Sequence, residues 1–189
     1  MEKKVLQLDR KETLLVLVDF QERLMPAMAG KDELEKAAVK LAKGCRILGL
    51  PVVTTQQYTK GLGPTVPLLQ EALEDAYRPI EKTSFSCMGA PAFAEAIEAE
   101  RRAGRCSIVL AGVETHVCVA QTALDLLDRG WNVFLAADCV ASRKEEDKKY
   151  ALRRMAGAGA VVTTCEAVLF ELLKGAGEPG FREISALVK

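Results

Sequence analysis

The sequence predicts an α/β protein: a single-domain, three-layer, mostly parallel and doubly wound (Rossmann-like) sheet with helices on both faces. Short apolar runs rich in β-branched residues alternate with longer segments of helical periodicity, which is the order of βαβ units. The apolar runs show no polar face, as in parallel strands that are covered on both sides. We expect one domain over residues 1–189, because no linker or repeat interrupts this alternation and the length suits one core.

Five segments are predicted to be strands. The first, TLLVLVDF, is a continuous apolar run that ends in a carboxylate, and the other four are similarly short and apolar. Four segments between them have helical spacing, and each meets a glycine at its end, where a left-handed cap residue is often needed. The strands are expected at 13–20, 50–58, 106–113, 131–139 and 159–166, and the helices at 31–49, 90–104, 115–130 and 144–159.

The segment 59–85 breaks this alternation. It is rich in glycine and proline and has room for one short helix near 66–76. Irregular insertions of this size in a compact domain often form a lid or a pocket wall. We therefore expect the segment to border a binding site.

Charge and hydropathy exclude several classes of function. Lys plus Arg and Asp plus Glu number 26 each, so no net charge favours nucleic acid or an anionic membrane as a partner. No apolar window approaches the length of a membrane span and no signal peptide is recognisable, so we expect a cytoplasmic protein. The six cysteines form no C-x-x-C pair and no tight cluster, which argues against a structural metal site or disulfides.

Cys118 is the best candidate nucleophile by its position. Ligands of open α/β sheets bind beyond the carboxyl ends of the strands, and Cys118 follows such an end. If Thr115 caps the helix, the thiol lies in its first turn, where the helix dipole lowers a thiol pKa and free N–H groups can stabilise an oxyanion. The alternative, that Cys118 only packs against neighbouring side chains at the start of the helix, stays equally open.

The only histidine, His116, is a poor partner for this thiol. Residues at i and i+2 of a helix point to nearly opposite sides, which argues against a dyad of His116 and Cys118. A base must then come from elsewhere. Asp19 ends the first predicted strand, where a carboxylate is either a hydrogen-bonded anchor of the following loop or a base with a shifted pKa. Lys82, judged by its sequence neighbours alone, is an ordinary surface lysine. Spacing alone does not bring these residues together.

Three separated motifs resemble the isochorismatase-like cysteine hydrolases along nearly the whole chain. They are LLVLVDFQ around Asp19, EKTSFS around Lys82 and AGVETHVCV around Cys118. Within that family, TTQQYTKGLGPTVP, GVETHVCVAQTALDLLDRG and VVTTCEAVLFELL are most similar to the isochorismatase domain-containing proteins. The resemblance implies a triad in which Asp19 takes the Cys118 proton, Lys82 favours the anionic forms, and the thiolate forms a thioester with a small amide.

The same resemblance implies details of the site. The bond between Val113 and Glu114 should be a cis peptide, and the backbone N–H groups of Glu114 and Cys118 should form the oxyanion hole. Nicotinamidases of the family bind a metal through one Asp and two His after the second strand. Here that window reads TTQQYTKGLG, so we expect no metal and no cofactor. True isochorismatases lack the nucleophilic cysteine, which disfavours vinyl ether cleavage.

The predicted substrate pocket combines aromatic and polar side chains around the three motifs. Asp138 and Ser142 are expected to anchor the loop after their strand rather than to bind substrate. Family members are commonly homo-oligomers, and we expect one here, with a small molecule as substrate. The alternative is a non-catalytic ligand-binding or protein-interaction module with the same fold. The predicted pocket residues are Phe20, Gln21, Gln57, Tyr58, Phe85 and His116.

Overall fold

The predicted fold class is confirmed by the structure, a computed structural model that describes residues 6–189. Within those residues, six strands form one all-parallel sheet in the order β3-β2-β1-β4-β5-β6, and eight α-helices are present. The strands are β1 (Thr13–Val18), β2 (Val52–Gln57), β3 (Ile80–Lys82), β4 (Ser107–Val113), β5 (Asn132–Ala141) and β6 (Val161–Thr163). The helices are α1 (Lys31–Ile47), α2 (Thr59–Leu62), α3 (Pro67–Leu73), α4 (Pro91–Arg102), α5 (Ala120–Asp128), α6 (Glu145–Gly157), α7 (Cys165–Leu173) and α8 (Phe181–Val188).

The apolar runs form strands because both faces of the sheet are covered. Every residue of β1 and β4 is buried, and successive side chains enter two separate hydrophobic clusters. Leu15 and Leu17 pack on the side of α1, α3, α7 and α8, whereas Leu14 and Val16 pack on the side of α4, α5 and α6. The three predicted layers follow from this alternation.

The strand order places a crevice between β1 and β4. The order reverses there, because β1 pairs with β2 on one side and with β4 on the other. Connections leave β1 and β4 toward opposite faces at such a switch point, and ligands of open α/β sheets commonly bind there. Asp19 follows β1 and the Cys118 turn follows β4, so both lie at this crevice.

One strand was missing from the sequence-based prediction. The insertion contains α2, α3 and the three-residue strand β3, which pairs with β2 so that Lys82 lies beside Gln57. A strand this short leaves no periodic signal, and its position at the sheet edge depends on a partner 25 residues away. As a result, Lys82 lies at the end of a strand, and the interpretation of Lys82 as an ordinary surface lysine is wrong.

The carboxyl-terminal part also differs from the predicted elements. β5 continues to Ala141, two residues beyond the predicted end at 139, through an irregular register with β4. β6 is only three residues long, and Asp138 Oδ1 accepts a hydrogen bond from the Cys165 N–H at the start of α7. The helices α7 and α8 were not predicted. Among the described helices, none combines the length and apolarity that a membrane span requires.

Candidate active site

Asp19 is held in an unusual backbone conformation at the end of β1. Its φ is +54°, in the left-handed region that aspartate tolerates better than most residues. The side chain is fully buried, and both carboxylate oxygens have donors: Thr55 Oγ1 donates to Oδ1 at 2.8 Å, and Lys82 Nζ donates to Oδ2 at 2.6 Å. Asp19 is therefore a paired, buried carboxylate at the crevice.

Lys82 has no exposed side-chain surface, and its ammonium is surrounded by oxygen acceptors. Besides Asp19, Nζ lies 2.6 Å from Gln57 Oε1, 3.2 Å from the Ser84 carbonyl and 3.3 Å from the Phe85 carbonyl. An ammonium has only three N–H donors, so these four acceptors occupy all of them. The ammonium is thus fixed as a local positive charge by the protein itself.

Burial and neighbouring anions act oppositely on Lys82. Burial lowers its pKa by penalising the charged form, but the negative charge of Asp19, with smaller contributions from Cys87 and Cys118, outweighs it. The net effect raises the pKa of Lys82 above its ordinary value. Lys82 is therefore positively charged at neutral pH.

Cys118 lies in a π-helical turn, Thr115–Val119, that precedes α5. Glu114 is the capping residue of this turn, so the expectation that Thr115 caps the helix is wrong. The Glu114 carbonyl accepts hydrogen bonds from the N–H groups of both Val117 and Val119, which widens the turn. Cys118 is 7% exposed, and it lies close enough to Asp19 and Lys82 for both charges to act on the pKa of its thiol.

The prediction of a lowered thiol pKa at Cys118 is wrong. Burial and then the charge of Asp19 raise the pKa to about 12, and the opposing effect of Lys82 is smaller. Desolvation and an adjacent carboxylate both disfavour a second negative charge at this position. The resting site therefore contains a neutral thiol near the ion pair of Asp19 and Lys82.

A second thiol belongs to the same cluster. Cys87 is fully buried, its backbone N–H donates to Thr122 Oγ1 at 2.9 Å, and its sulfur lies 3.7 Å from Thr55 Oγ1. Burial and the charge of Asp19 raise the Cys87 pKa to about 11. The sequence placed Cys87 near Lys82 but gave no indication of its contact with Thr55.

His116 is oriented toward Ser142. Its Nδ1 lies 2.9 Å from Ser142 Oγ, a pairing across the ends of β4 and β5. The regular-helix geometry used against a dyad does not apply inside a π-turn, but the ring is engaged by Ser142 instead of Cys118. Ser142 is fully buried and its carbonyl also accepts the Ala29 N–H, so it anchors the loop as expected.

Glu114 joins the ends of β4 and β5. Its peptide bond with Val113 is cis, and its side-chain Oε2 accepts hydrogen bonds from the Arg143 N–H at 3.1 Å and from Arg143 Nε at 3.0 Å. These contacts place the Glu114 backbone at the entrance to the Cys118 turn. The oxyanion hole formed by the N–H groups of Glu114 and Cys118 stays a prediction.

The predicted pocket residues occupy different environments. Phe20 is 1% exposed and packs in the core cluster on the α1 side, and its role in the pocket stays a prediction. Gln21 is also buried, because its amide bridges the backbone of Gln57 and Gly63. Tyr58 and Phe85 are about half exposed; the Tyr58 N–H donates to the Lys82 carbonyl, and the Phe85 carbonyl accepts from Lys82 Nζ.

The window after β2 uses its polar side chains within the protein. Gln57 Oε1 binds Lys82, while Gln57 Nε2 donates to the Thr83 carbonyl at 2.7 Å. Gln56 Nε2 donates to Thr65 and Tyr77. Across residues 6–189, no group of three His, Cys, Asp or Glu side chains is arranged to hold a metal ion.

Gly112 permits the close approach of β4 to β1 beside Asp19. Its φ is +148°, and an added Cβ would lie 2.4 Å from the Val18 carbonyl oxygen and 2.6 Å from Val18 Cβ.

Gly112→Ala should therefore lower the free energy of unfolding by about 3 kcal/mol, measured by chemical denaturation, because overpacking adds to backbone strain. Gly104→Ala is the matched control, since φ there is +95° and no atom lies within 4 Å. Equal losses for the two variants would exclude the close approach as the cause.

A family profile and a curated relative place this chain in the same family. The family profile described as "Isochorismatase domain" matches residues 13–167. The chain is 45% identical over 177 residues to "Isochorismatase domain-containing protein 1" of Salmo salar; the match covers 94% of this chain and 61% of that protein. The chain thus spans less than two thirds of the length of that relative.

Solved structures show the same fold. The "MAR1 Ribonuclease" structure from Caenorhabditis elegans superposes with a TM-score of 0.89 at 36% identity, covering 97% of this chain and 92% of the other. The YcaC gene product of Escherichia coli, described as "an octameric hydrolase of unknown specificity", gives a TM-score of 0.87 at 28% identity, covering 98% and 89%.

Proposed function

Because the chain belongs to the isochorismatase family, we propose that it is a metal-independent cysteine hydrolase of a small amide-like substrate, acting through a thioester. The observation that supports the proposal is the buried ion pair of Lys82 Nζ and Asp19 Oδ2 at 2.6 Å, whose two charges both act on the nearby thiol of Cys118. Buried titratable groups that contact one another at the switch point of an α/β sheet are candidates for catalysis. Asp19 is the base, Cys118 the nucleophile and Lys82 the electrostatic partner.

The first half of the reaction forms the thioester. Asp19 accepts the Cys118 proton, and the charge of Lys82 stabilises the anionic pair as the thiolate forms. The sulfur attacks the substrate carbonyl carbon, and the carbonyl oxygen becomes an oxyanion, which the N–H groups of Glu114 and Cys118 stabilise. The C–N bond then breaks, and the leaving amine or ammonia takes the proton from Asp19.

The second half restores the thiol. Water attacks the thioester carbon as Asp19 accepts a proton from it, and the C–S bond breaks to release a carboxylic acid product. The proton on Asp19 then returns to the Cys118 thiolate.

The proposal extends to the substrate pocket and to the assembly of the chain. Tyr58 and Phe85 are exposed aromatic residues whose backbones bind Lys82, and we assign them, with Gln57 and His116, to the walls that receive the substrate. The octameric E. coli relative supports a homo-oligomeric assembly of this chain.

The test is a panel of small amides, ureides and N-carbamoyl compounds with the wild type and Cys118→Ala. We expect the wild type to hydrolyse at least one compound class and to carry a mass increase on Cys118 during turnover, while Cys118→Ala shows neither and melts at a similar temperature. An RNA oligonucleotide is included because the C. elegans relative is described as a ribonuclease. The balanced charge of this chain argues against RNA cleavage.

Two outcomes would contradict the proposal. Turnover retained in Cys118→Ala would remove the thiol from the mechanism. Failure of every compound to exceed the Cys118→Ala background would favour the non-catalytic ligand-binding or interaction module.

A further inference from the structure

Strand β2 supplies none of the three residues assigned to the reaction, yet Thr55 is bound to Asp19 twice. Thr55 Oγ1 donates to Asp19 Oδ1 at 2.8 Å, and the Asp19 backbone N–H donates to the Thr55 carbonyl at 3.3 Å. The Thr55 side chain is fully buried, so no solvent competes for its hydroxyl. Thr55 therefore fixes both the backbone and the carboxylate of Asp19.

The two oxygens of the Asp19 carboxylate have different donors. Lys82 binds Oδ2 and Thr55 binds Oδ1. The terminal torsion of an aspartate is soft, so a donor on one oxygen alone leaves the carboxylate free to turn about its Cβ–Cγ bond. Donors on both oxygens define its plane. Lys82 without Thr55 would hold the charge of Asp19 in place but not its orientation toward Cys118.

The Thr55 hydroxyl also receives a contact. Its single proton is donated to Asp19, so in the 3.7 Å contact with Cys87 the thiol of Cys87 is the donor and Thr55 Oγ1 the acceptor. The result is a directed chain from Cys87 through Thr55 to Asp19. Such chains polarise their members and strengthen the terminal hydrogen bond.

We propose that Thr55 is a positioning residue, which holds the Asp19 carboxylate in the plane from which it accepts the Cys118 proton. The inference rests on the proposed function, in which Asp19 is the base. Thr55 acts through Asp19 and not on the substrate. Its loss should weaken the influence of Asp19 on Cys118 while the Lys82 ion pair persists.

The test measures the rate at which iodoacetamide alkylates Cys118 between pH 8 and 10. The titratable groups that act on this thiol are Asp19, Lys82 and Cys87. The parent protein carries Cys106→Ser, because Cys106 is the one cysteine with substantial exposure and shares a tryptic peptide with Cys118. Adducts are quantified by mass spectrometry in Thr55→Val, Thr55→Ser, Asp19→Asn and the double variant Asp19→Asn/Thr55→Val.

We expect Thr55→Val to alkylate about fivefold faster than the parent, since a displaced carboxylate no longer holds the thiol proton; the factor is that of one typical hydrogen bond. Thr55→Ser keeps the hydroxyl and should react at the parent rate. In the Asp19→Asn background, Thr55→Val should add nothing, because there is no carboxylate left to position.

Each other outcome has a defined meaning. An unchanged or slower rate in Thr55→Val overturns the inference, as does an equal acceleration in the Asp19→Asn background. A lower melting temperature with an unchanged rate assigns Thr55 to packing alone and also overturns it. If Asp19→Asn itself leaves the rate unchanged, the pairing of Asp19 with Cys118 fails, and with it the proposed function. The two failures are thus distinguishable.

Discussion

Replacing Asp19 with asparagine is expected to reduce hydrolysis about a thousandfold and, at the same time, to make Cys118 react faster with iodoacetamide. An asparagine cannot accept the thiol proton or deliver it to the leaving amine, and the loss of such a group typically costs two to four orders of magnitude. The rate at which iodoacetamide alkylates Cys118 should instead increase in Asp19→Asn. The charge of Asp19 and its hydrogen bond both raise the pKa of Cys118, while Lys82 lowers it.

The faster alkylation follows from removing one of two opposed charges. In Asp19→Asn the ammonium of Lys82 acts on the thiol alone, so the pKa of Cys118 falls. Below that pKa, each unit of decrease raises the thiolate fraction about tenfold. Turnover on any compound found by the substrate panel and alkylation between pH 8 and 10 are measured on the same preparation.

Asp138→Asn is the matched control for this change. Asp138 is a carboxylate of β5 that accepts the backbone N–H of Cys165 at the start of α7, and it is not among the groups that act on the pKa of Cys118. It should leave turnover and alkylation of Cys118 unchanged. Retained turnover in Asp19→Asn would refute its role as the base.

Lys82→Met is expected to destabilise the protein by about 3–5 kcal/mol at neutral pH, because it leaves the buried carboxylate of Asp19 without its cation. Chemical denaturation measures this loss. The double variant Asp19→Asn/Lys82→Met should recover much of it, since both charges are then removed. Lys60→Met, on the exposed helix α2, is the surface control and should cost less than about 0.5 kcal/mol.

The stability difference should depend on pH with a defined sign. The folded pKa of Lys82 is raised, so its contribution is fully present below the unfolded pKa of lysine, about 10.4. It is lost as pH rises through the higher folded value. The gap between the wild type and Lys82→Met should therefore be constant from pH 7 to 9 and narrow above pH 10.5. A gap that widens there would contradict the pairing.

The same substitution should slow alkylation of Cys118. The charge of Lys82 lowers the pKa of that thiol, so its removal raises the pKa further and decreases the thiolate fraction. Lys82→Met and Asp19→Asn thus change the alkylation rate in opposite directions. A nonspecific loosening of the site would accelerate both.

The sequence by itself determined the alternation of strands and helices, the parallel sheet and the position of Cys118 beyond a strand end. These features are local: β-branched apolar runs, helical periodicity and terminal glycines are read within one segment at a time. Asp19 was identified as a candidate base by its place after an apolar run. Lys82 was recognised only through family resemblance, because β3 is too short to leave a pattern of its own.

The tertiary structure alone decided how these residues affect one another. Thr55 looked like an ordinary residue of β2 until register placed its hydroxyl on Asp19, 36 residues away in sequence. The pKa of Cys118 rises instead of falling, since folding buries the thiol and brings a carboxylate close to it. Desolvation and Coulomb interactions depend on distance in space, and sequence spacing does not contain that distance.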